Sequence, residues 1–522
     1  MCIPITHIDD VLNVGGDCLR VRTRLVKCIP INIIGNKTRL LKPVMEQEIS
    51  AEFSIIIHNS YLSEVSSLVN SLHNKTHSFV KPMELIFDLT ALSSHRESLL
   101  LPRALRVIRV KKMLEIPGIV QVTKQNIYFQ PRAALGPKRV KEFGLSSQGS
   151  STITSTRRQR YKLKDTCVEV QFTSGKNLLL QFDTKGDCES FLRAISPGES
   201  ILTDRLPPLH AVTELWRNCE ISNFDYLMYL NHLAGRSVND IGQYPILPWT
   251  ISNMTSVSLD LTDESNYRDL AQPIAATNKT KLEQSRQRAL QMSPKERFLF
   301  GSFYSNPAFV LYFLLRRYPE CHLRLHGGHF DHTARLFTSL KGAWEAVAES
   351  GSATMELIPE FYSEFESANT WLRNLPTMTQ VTEVRLPDWA SSPTDFVIKM
   401  RCALESPVVS CKLNKWIDLV FGVKSRGREI CFQNNNLFHP ICYLTDVESD
   451  VVDYCNDHQA ARNVVLLQSQ EFGHVPQQLF VTDQHPARDL SKLKSEWWSE
   501  SFYQSGGGRD SWRSVLQNSN IS

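Results

Sequence analysis

Residues Asn223–Trp249 read NFDYLMYLNHLAGRSVNDIGQYPILPW, and this stretch sets the fold of the larger part of the chain. Ser222 followed three residues later by Asp225 resembles a capping box. It predicts a helix over Asn223–Ala234 with Phe224, Leu227, Met228 and Leu230 apolar. Past Gly235 the pattern breaks. Prolines occupy two positions of Tyr244–Trp249 (YPILPW), and proline is excluded from helix interiors and central strands. Ser237–Leu261 must therefore cross its domain in an irregular, extended form. Backbone of that kind has few ladder bonds and needs side-chain partners, for which Arg268 and Asn278 are candidates. Core architecture outweighs peptide binding as the role of this segment.

Downstream, Asn306-Pro307, Ser392-Pro393 and Ser406-Pro407 each place a capping residue before a proline suited to the first helical turn. The helix from Pro407 buries Leu413, Trp416, Ile417 and Val420 and ends at Gly422. The tail, with Gly506-Gly507-Gly508, is expected to be disordered. Upstream of a linker holding Pro207-Pro208, strands are expected over Arg106–Met113, Ile119–Thr123 and Asn126–Gln130, with a turn at Pro117-Gly118. Val168–Thr173 and Asn177–Phe182 form a hairpin, Asp187–Ile195 closes as a helix, and Ser146–Thr156 reads as a flexible loop. Strands followed by a terminal helix is the order of a pleckstrin-homology-like barrel. In the first hundred residues, Ala51–His58 is strand-like and Tyr61–Leu72 is an amphipathic helix.

The opening stretch resembles the signature of the BEACH domain, and the resemblance continues in order. YRDLAQP (Tyr267–Pro273), GSFYSNP (Gly301–Pro307), GGHFDHTARLF (Gly327–Phe337), ELIPEFY (Glu356–Tyr362), LPDWASSPTDF (Leu386–Phe396), ALESPVVSCKLNKWIDLVFG (Ala403–Gly422) and EFGHVPQQLF (Glu471–Phe480) match later blocks of the family. PGIVQVTKQNIYFQP (Pro117–Pro131) is similar to the pleckstrin-homology-like module that precedes such domains. More narrowly, the chain resembles the branch of the family associated with neutral sphingomyelinase activation, in which a GRAM module comes first. Ile3–Ile8 and the strand-helix of Ala51–Leu72 look like that module's later half. No WD-repeat propeller is expected after residue 498.

The resemblance implies an α+β multidomain chain. Residues 1–100 form a partial GRAM-like β module and connector, 101–197 a pleckstrin-homology-like β-barrel with a terminal helix, and 198–209 a linker. Residues 210–490 form a mainly helical BEACH domain with extended segments, and 491–522 a disordered tail. The length of 522 residues agrees, since single cores stop growing at roughly 250–300 residues. With 42% hydrophobic and 21% charged residues the chain can bury real cores, and its net charge of +4 excludes a histone-like or acidic-tail protein. The N-terminus MCIPITHIDDVLNV shows no secretory signal. Ala308–Leu315, the longest strongly apolar run, is too short for a bilayer, and Cys2 in place of glycine argues against myristoylation. Twelve cysteines without a C-x-x-C pair point to a reducing compartment, hence to a cytoplasmic protein with peripheral membrane association.

No nucleophile elbow, metalloprotease helix, P-loop or dinucleotide fingerprint occurs, so no catalytic residue, cofactor or metal is expected. His326, His329 and His332 recur at intervals of three, but Gly327-Gly328 argues against a helix there and no zinc-finger partner flanks them. Asp225, Asp240, Asp260 and Asp269 read as caps and turns, and Glu356, Glu360, Glu364 and Glu366 as a solvated helical face and loop. The sharpest signal is charge. Arg103–Lys164 holds fifteen Lys or Arg against Glu115 and Glu142, a local +13 that leaves −9 for the remainder. Arg157, Arg158, Arg160, Lys162 and Lys164 cluster within it as a patch for an anionic membrane or for docking on the acidic remainder; nucleic acid lacks a supporting motif. Tyr244, Trp249, Arg268, Asn278 and Trp416 are expected to organise the helical domain.

These features describe a non-enzymatic adaptor in membrane-associated signalling, linked through the resemblance to neutral sphingomyelinase activation downstream of a cytokine receptor. A vesicle or lysosomal trafficking scaffold is the close alternative and a lipid hydrolase the distant one. The expected partners are proteins of a signalling or trafficking complex and anionic membrane lipids, with the oligomeric state left open.

Overall fold

The computed structural model describes residues 8–13, 18–25 and 49–56, and residues 87–505 apart from short segments, the longest being 133–139, 196–206, 373–380 and 444–467. Two compact units divide at Leu89. In the first, β1 (Ile8–Asn13), β2 (Cys18–Leu25) and β3 (Ile49–Ile56) form an antiparallel sheet in that order. The helix expected over Tyr61–Leu72 lies outside the described residues.

The second unit opens with β4 (Leu105–Lys111), β5 (Leu114–Val122), β6 (Asn126–Pro131) and β7 (Lys141–Gly144). A short ribbon of β8 (Ser146–Ser147) and β9 (Ser150–Ser151) follows, then β10 (Ile153–Tyr161), β11 (Lys164–Phe172) and β12 (Asn177–Phe182). Two meanders join through β12 and β4 into one antiparallel sheet of order β10-β11-β12-β4-β5-β6-β7. The sheet curls around Val120, Val122, Phe129, Val168, Val170, Leu178 and Leu180, and α1 (Lys185–Ile195) covers it with Cys188, Phe191, Leu192 and Ile195.

Two local expectations are corrected here. Pro117 and Gly118 are not a turn but lie inside β5. A Cβ on Gly118 would strike the Gln130 carbonyl oxygen and come within 2.8 Å of the Phe129 ring, so glycine serves close strand approach. Pro117 is tolerated where β6 ends, its carbonyl accepting from Arg132 N at 2.8 Å. Ser146–Thr156 is not a free loop either. The β8–β9 ribbon pairs Ser146 with Ser151, Thr152 N donates to Leu145 O, and Ile153–Thr156 enters β10.

The helical region follows as α2 (Leu209–Arg217), α3 (Asn223–Leu233), α4 (Lys279–Leu290), α5 (Pro307–Phe313), α6 (Pro319–Leu325) and α7 (Leu340–Ala348). It continues with α8 (Pro393–Glu405), α9 (Pro407–Ser410), α10 (Leu413–Val420), α11 (Arg428–Gln433) and α12 (Glu500–Gln504). Asn306, Ser392 and Ser406 cap α5, α8 and α9 as their sequence context predicts. The single helix expected from Pro407 is split. Lys412 N bonds Val409 O and Lys415 N bonds Lys412 O, tightening the turn between α9 and α10.

The tail expected to be disordered from residue 491 is ordered through Ser505. Trp497 is buried, the Arg488 guanidinium lies over both Trp216 and Trp497, and Tyr503 donates to Trp497 O at 2.7 Å. Residues 506–522 lie outside the described ones.

Candidate functional site

The site is built on the outward face of β10 and β11. Strand alternation sends Val168, Val170 and Phe172 into the sheet's own core and turns Cys167, Glu169 and Gln171 the other way. Arg157 and Ser155 stand opposite Glu169 and Gln171 on β10. A polar face of this kind normally meets water. Here Ser155, Arg157, Gln159, Glu169 and Gln171 are all buried, because the C-terminal end of α3 and the segment after it lie across them.

Glu169 is 1% exposed and His232 4%, and Glu169 Oε2 lies 3.3 Å from His232 Nδ1. Ser237 donates to Glu169 Oε1 at 2.6 Å, and Asn177 donates to the same oxygen. Burial by itself would raise this carboxyl, but the hydrogen bonds and charge of His232, Ser237 and Asn177 bring it down to about 2. Gln171 Nε2 also faces His232 Nδ1 at 3.2 Å, and Ser155 Oγ fixes the amide by donating to its Oε1. The imidazole proton thus decides whether Nδ1 accepts from Gln171 or donates to Glu169. Asn239 donates to Asn177 Oδ1 at 3.0 Å and Gln243 to the Arg160 carbonyl at 2.9 Å, extending the seam along the strands.

Arg157 Nη1 donates to the His232 carbonyl at 2.7 Å. That carbonyl lies in the last turn of α3, where orphan acceptors and the negative end of the helix dipole meet, so a guanidinium is matched there. At the other end of α3, Glu405 accepts from the backbone N of Asn223 at 2.7 Å and of Phe224 at 2.9 Å. The helix is therefore held by an acid at its positive end and a base at its negative end, each from a different element.

A second carboxylate organises the helical domain internally. Glu356 receives Arg268 Nη2 at 2.7 Å, Trp249 N at 2.6 Å and Trp416 Nε1 at 2.9 Å. Burial pushes its pKa up despite the Arg268 charge. The YPILPW backbone is satisfied piece by piece. Arg236 Nε donates to Tyr244 O, Asn231 bonds both N and O of Ile246, Leu247 pairs with Leu357, Tyr362 donates to Pro248 O and Arg268 Nε to Trp249 O.

The residues singled out from sequence fall in different places. Tyr244, Trp249, Arg268 and Trp416 meet around Glu356 and Glu360, Tyr244 donating to Glu360 at 2.6 Å. Asn278 does not serve the proline-rich segment: it caps α4 and donates to the carbonyls of Ala348 and Glu349. The solvated face expected for Glu356 and Glu360 is corrected, since both are buried, whereas Glu364 and Glu366 are exposed. Asp240, Asp260 and Asp269 accept from nearby backbone N–H groups, whereas Asp225 accepts from the Ser222 hydroxyl and donates its own N–H back to Ser222 Oγ at 3.1 Å.

Of the basic patch, Arg157 is spent in the seam. Arg158 stands 3.8 Å from Glu189 on the sheet's flank, and Lys162 pairs with Glu115. Arg160 and Lys164 are exposed. His326 stacks on His322 at 4.5 Å, His332 caps a short turn, and His329 lies outside the described residues. Among the described residues, no three His, Cys, Asp or Glu side chains come together as a metal set.

Sequence reading missed Glu169, His232, Ser237 and Glu405. For Glu169 the available signal was the alternation Cys167-Val168-Glu169-Val170-Gln171, which marks an outward polar face without saying what covers it.

A model of the Beige/BEACH domain matches residues 214–488, and one of the PH domain associated with Beige/BEACH matches residues 108–196. A protein described as a neurobeachin homolog from Caenorhabditis elegans is 36% identical over 352 residues, 63% of this chain, and its Caenorhabditis briggsae counterpart is 37% identical over the same length. The BEACH domain-containing protein lvsD of Dictyostelium discoideum is 33% identical over 431 residues, 74% of this chain. The matched region spans 14% of each relative's length.

Proposed function

Because the chain belongs to the BEACH domain family, we propose that it is a non-enzymatic scaffold in membrane trafficking, cytoplasmic and peripherally attached to membranes. The observation that carries this reading is the buried seam from Arg157 to Glu169. It makes the sheet module and the helical domain a single platform on which partners from either side are presented in fixed geometry. The relatives, neurobeachin homologs and a BEACH domain-containing protein, support the family placement. The narrower link to neutral sphingomyelinase draws its support from sequence motifs alone, and the trafficking reading is therefore preferred. The GRAM-like module upstream is part of the proposal, supported by the three-stranded sheet of β1–β3.

Fluorescent fusions of the full chain test the reading. The wild type should decorate vesicular compartments, and a Ser237→Lys variant, which places a bulky cation in the seam, should lose that pattern while remaining folded. A diffuse wild type, or sphingomyelin turnover by the purified chain that vanishes on replacing one carboxylate, would overturn it.

A further inference from the structure

Away from the seam, one surface of the helical domain combines excess positive charge with bare apolar side chains. Lys279–Arg297 carries six Lys or Arg against Glu283 and Glu296, a local +4 within the part of the chain whose total is −9. Helix α4 ends on Leu290, 59% exposed, and α11 presents Ile430, 48% exposed. The two elements are neighbours. Arg286, one turn before Leu290 on the same helical face, donates from Nη1 to Phe432 O at 3.2 Å and to Asn435 Oδ1 at 2.6 Å. Arg428 donates from Nε to Pro294 O at 3.1 Å and from Nη2 to Arg297 O at 2.7 Å.

The guanidiniums of this face are pinned without being neutralised. Arg288 donates to Leu299 O and Arg297 to Ala289 O, while Arg286 and Arg297 lie over the Phe432 ring at 4.7 and 5.1 Å. Among the described residues, none of Lys279, Lys281, Arg286, Arg288, Lys295, Arg297 and Arg428 forms an ion pair. Carbonyl dipoles hold these side chains down and leave the net charge directed outward.

We propose that the α4–α11 face docks on an anionic lipid bilayer, its cations over the headgroup phosphates and Leu290 and Ile430 entering the interface. Two observations favour a bilayer over an acidic protein segment. Fork N–H groups that would grip a carboxylate bidentately are committed to carbonyls, so the face offers diffuse charge with little directional recognition. Leu290 and Ile430 stand as separate tips on two elements, which a deformable interface accommodates more readily than a shaped partner. The inference rests on the membrane-scaffold reading and assigns that reading its lipid-facing surface.

Sedimentation of the full chain with vesicles of one part phosphatidylserine to three parts phosphatidylcholine tests it, beside pure phosphatidylcholine and at low and high salt. Lys279→Glu with Lys295→Glu should weaken binding about tenfold or more, and Leu290→Ser with Ile430→Ser about three- to tenfold. All four side chains are exposed or at a helix end, so an unchanged melting temperature serves as the folding control. Wild-type binding should vanish at high salt and on neutral vesicles. Undiminished binding by both variants, equal binding to neutral vesicles, or loss confined to an Arg160→Glu/Lys164→Glu variant would each overturn the proposal. So would capture of a polyglutamate peptide by this face with no vesicle binding. The substitutions at Lys279, Lys295, Leu290 and Ile430 lie outside the seam, so their failure leaves the scaffold reading to stand on its own test.

Discussion

Two buried carboxylates, Glu169 and Glu356, hold this molecule together in opposite ways. Glu169 lies between two domains and is surrounded by a hydroxyl, an amide and an imidazole, which bring its pKa down to about 2. Glu356 lies within one domain among indoles and a guanidinium, and burial prevails, raising its pKa. Enough short polar donors stabilise a buried negative charge outright, whereas an aromatic core tolerates one only where it ties otherwise unsatisfied groups together. The seam is thus an electrostatic joint, and the hub around Glu356 is a packing joint with a charge inside it.

The sharpest way to break the comparison is Glu356→Ala. It leaves Arg268 as an uncompensated buried cation and strips partners from Trp249 N and Trp416 Nε1, costing about 3–5 kcal/mol, a loss that unfolds the helical domain. Denaturant melts should show the lost transition, and a stable, unchanged variant would show that the hub is dispensable.

Arg157→Ala should cost less, about 1.5–3 kcal/mol for a charged hydrogen bond. Its signature is different: both domains remain folded and one cooperative transition becomes two in calorimetry. A single sharp transition at the wild-type temperature would deny the seam its coupling role.

Acid should separate the two carboxylates by sign. The folded pKa of Glu169 is depressed, so its stabilisation is complete above the ordinary carboxyl value of 4.5 and fades as pH falls toward about 2. Glu356 has a raised pKa and gains nothing from ionisation, so the same acidification spares its hub. Melts recorded downward from pH 5 should show the seam uncoupling first, and simultaneous loss of both would contradict the assignment. The smallest effect belongs to a surface ion pair of the helical domain. Breaking Lys412–Glu264, 3.0 Å apart, with Lys412→Ala should cost about 0–1 kcal/mol by the same melts.

Much of the packing joint was legible in the sequence. The prolines of YPILPW required side-chain partners, and Arg268, Trp249 and Trp416 do converge. What was not legible was the carboxylate at the centre, because ELIPEFY carries its acids at helical spacing and spacing alone reads as solvent-facing. Asn278 failed as a partner because a competing local use, capping α4, claims an Asn at that position. The electrostatic joint was less visible still. Polar alternation on β11 is identical whether the face meets water or another domain, and only the tertiary placement of α3 distinguishes them.

The clamp on α3 also carries a consequence for how the chain is made. Its two ends are held by residues 75 and 182 positions away, Arg157 earlier in the chain and Glu405 later. Synthesis therefore completes the curled sheet while the helix it will receive is unfinished, and the residue that closes the helix's far end emerges roughly 250 residues after Arg157, about 10–50 s later at ribosomal rates. Until α3 and the segment behind it emerge and settle, the waiting surface is Ser155, Arg157, Gln159, Glu169 and Gln171, a set that water solvates well. An apolar joint at the same place would expose a sticky sheet face on every nascent chain, so a polar joint lets a long-range contact form late without passing through an aggregation-prone intermediate.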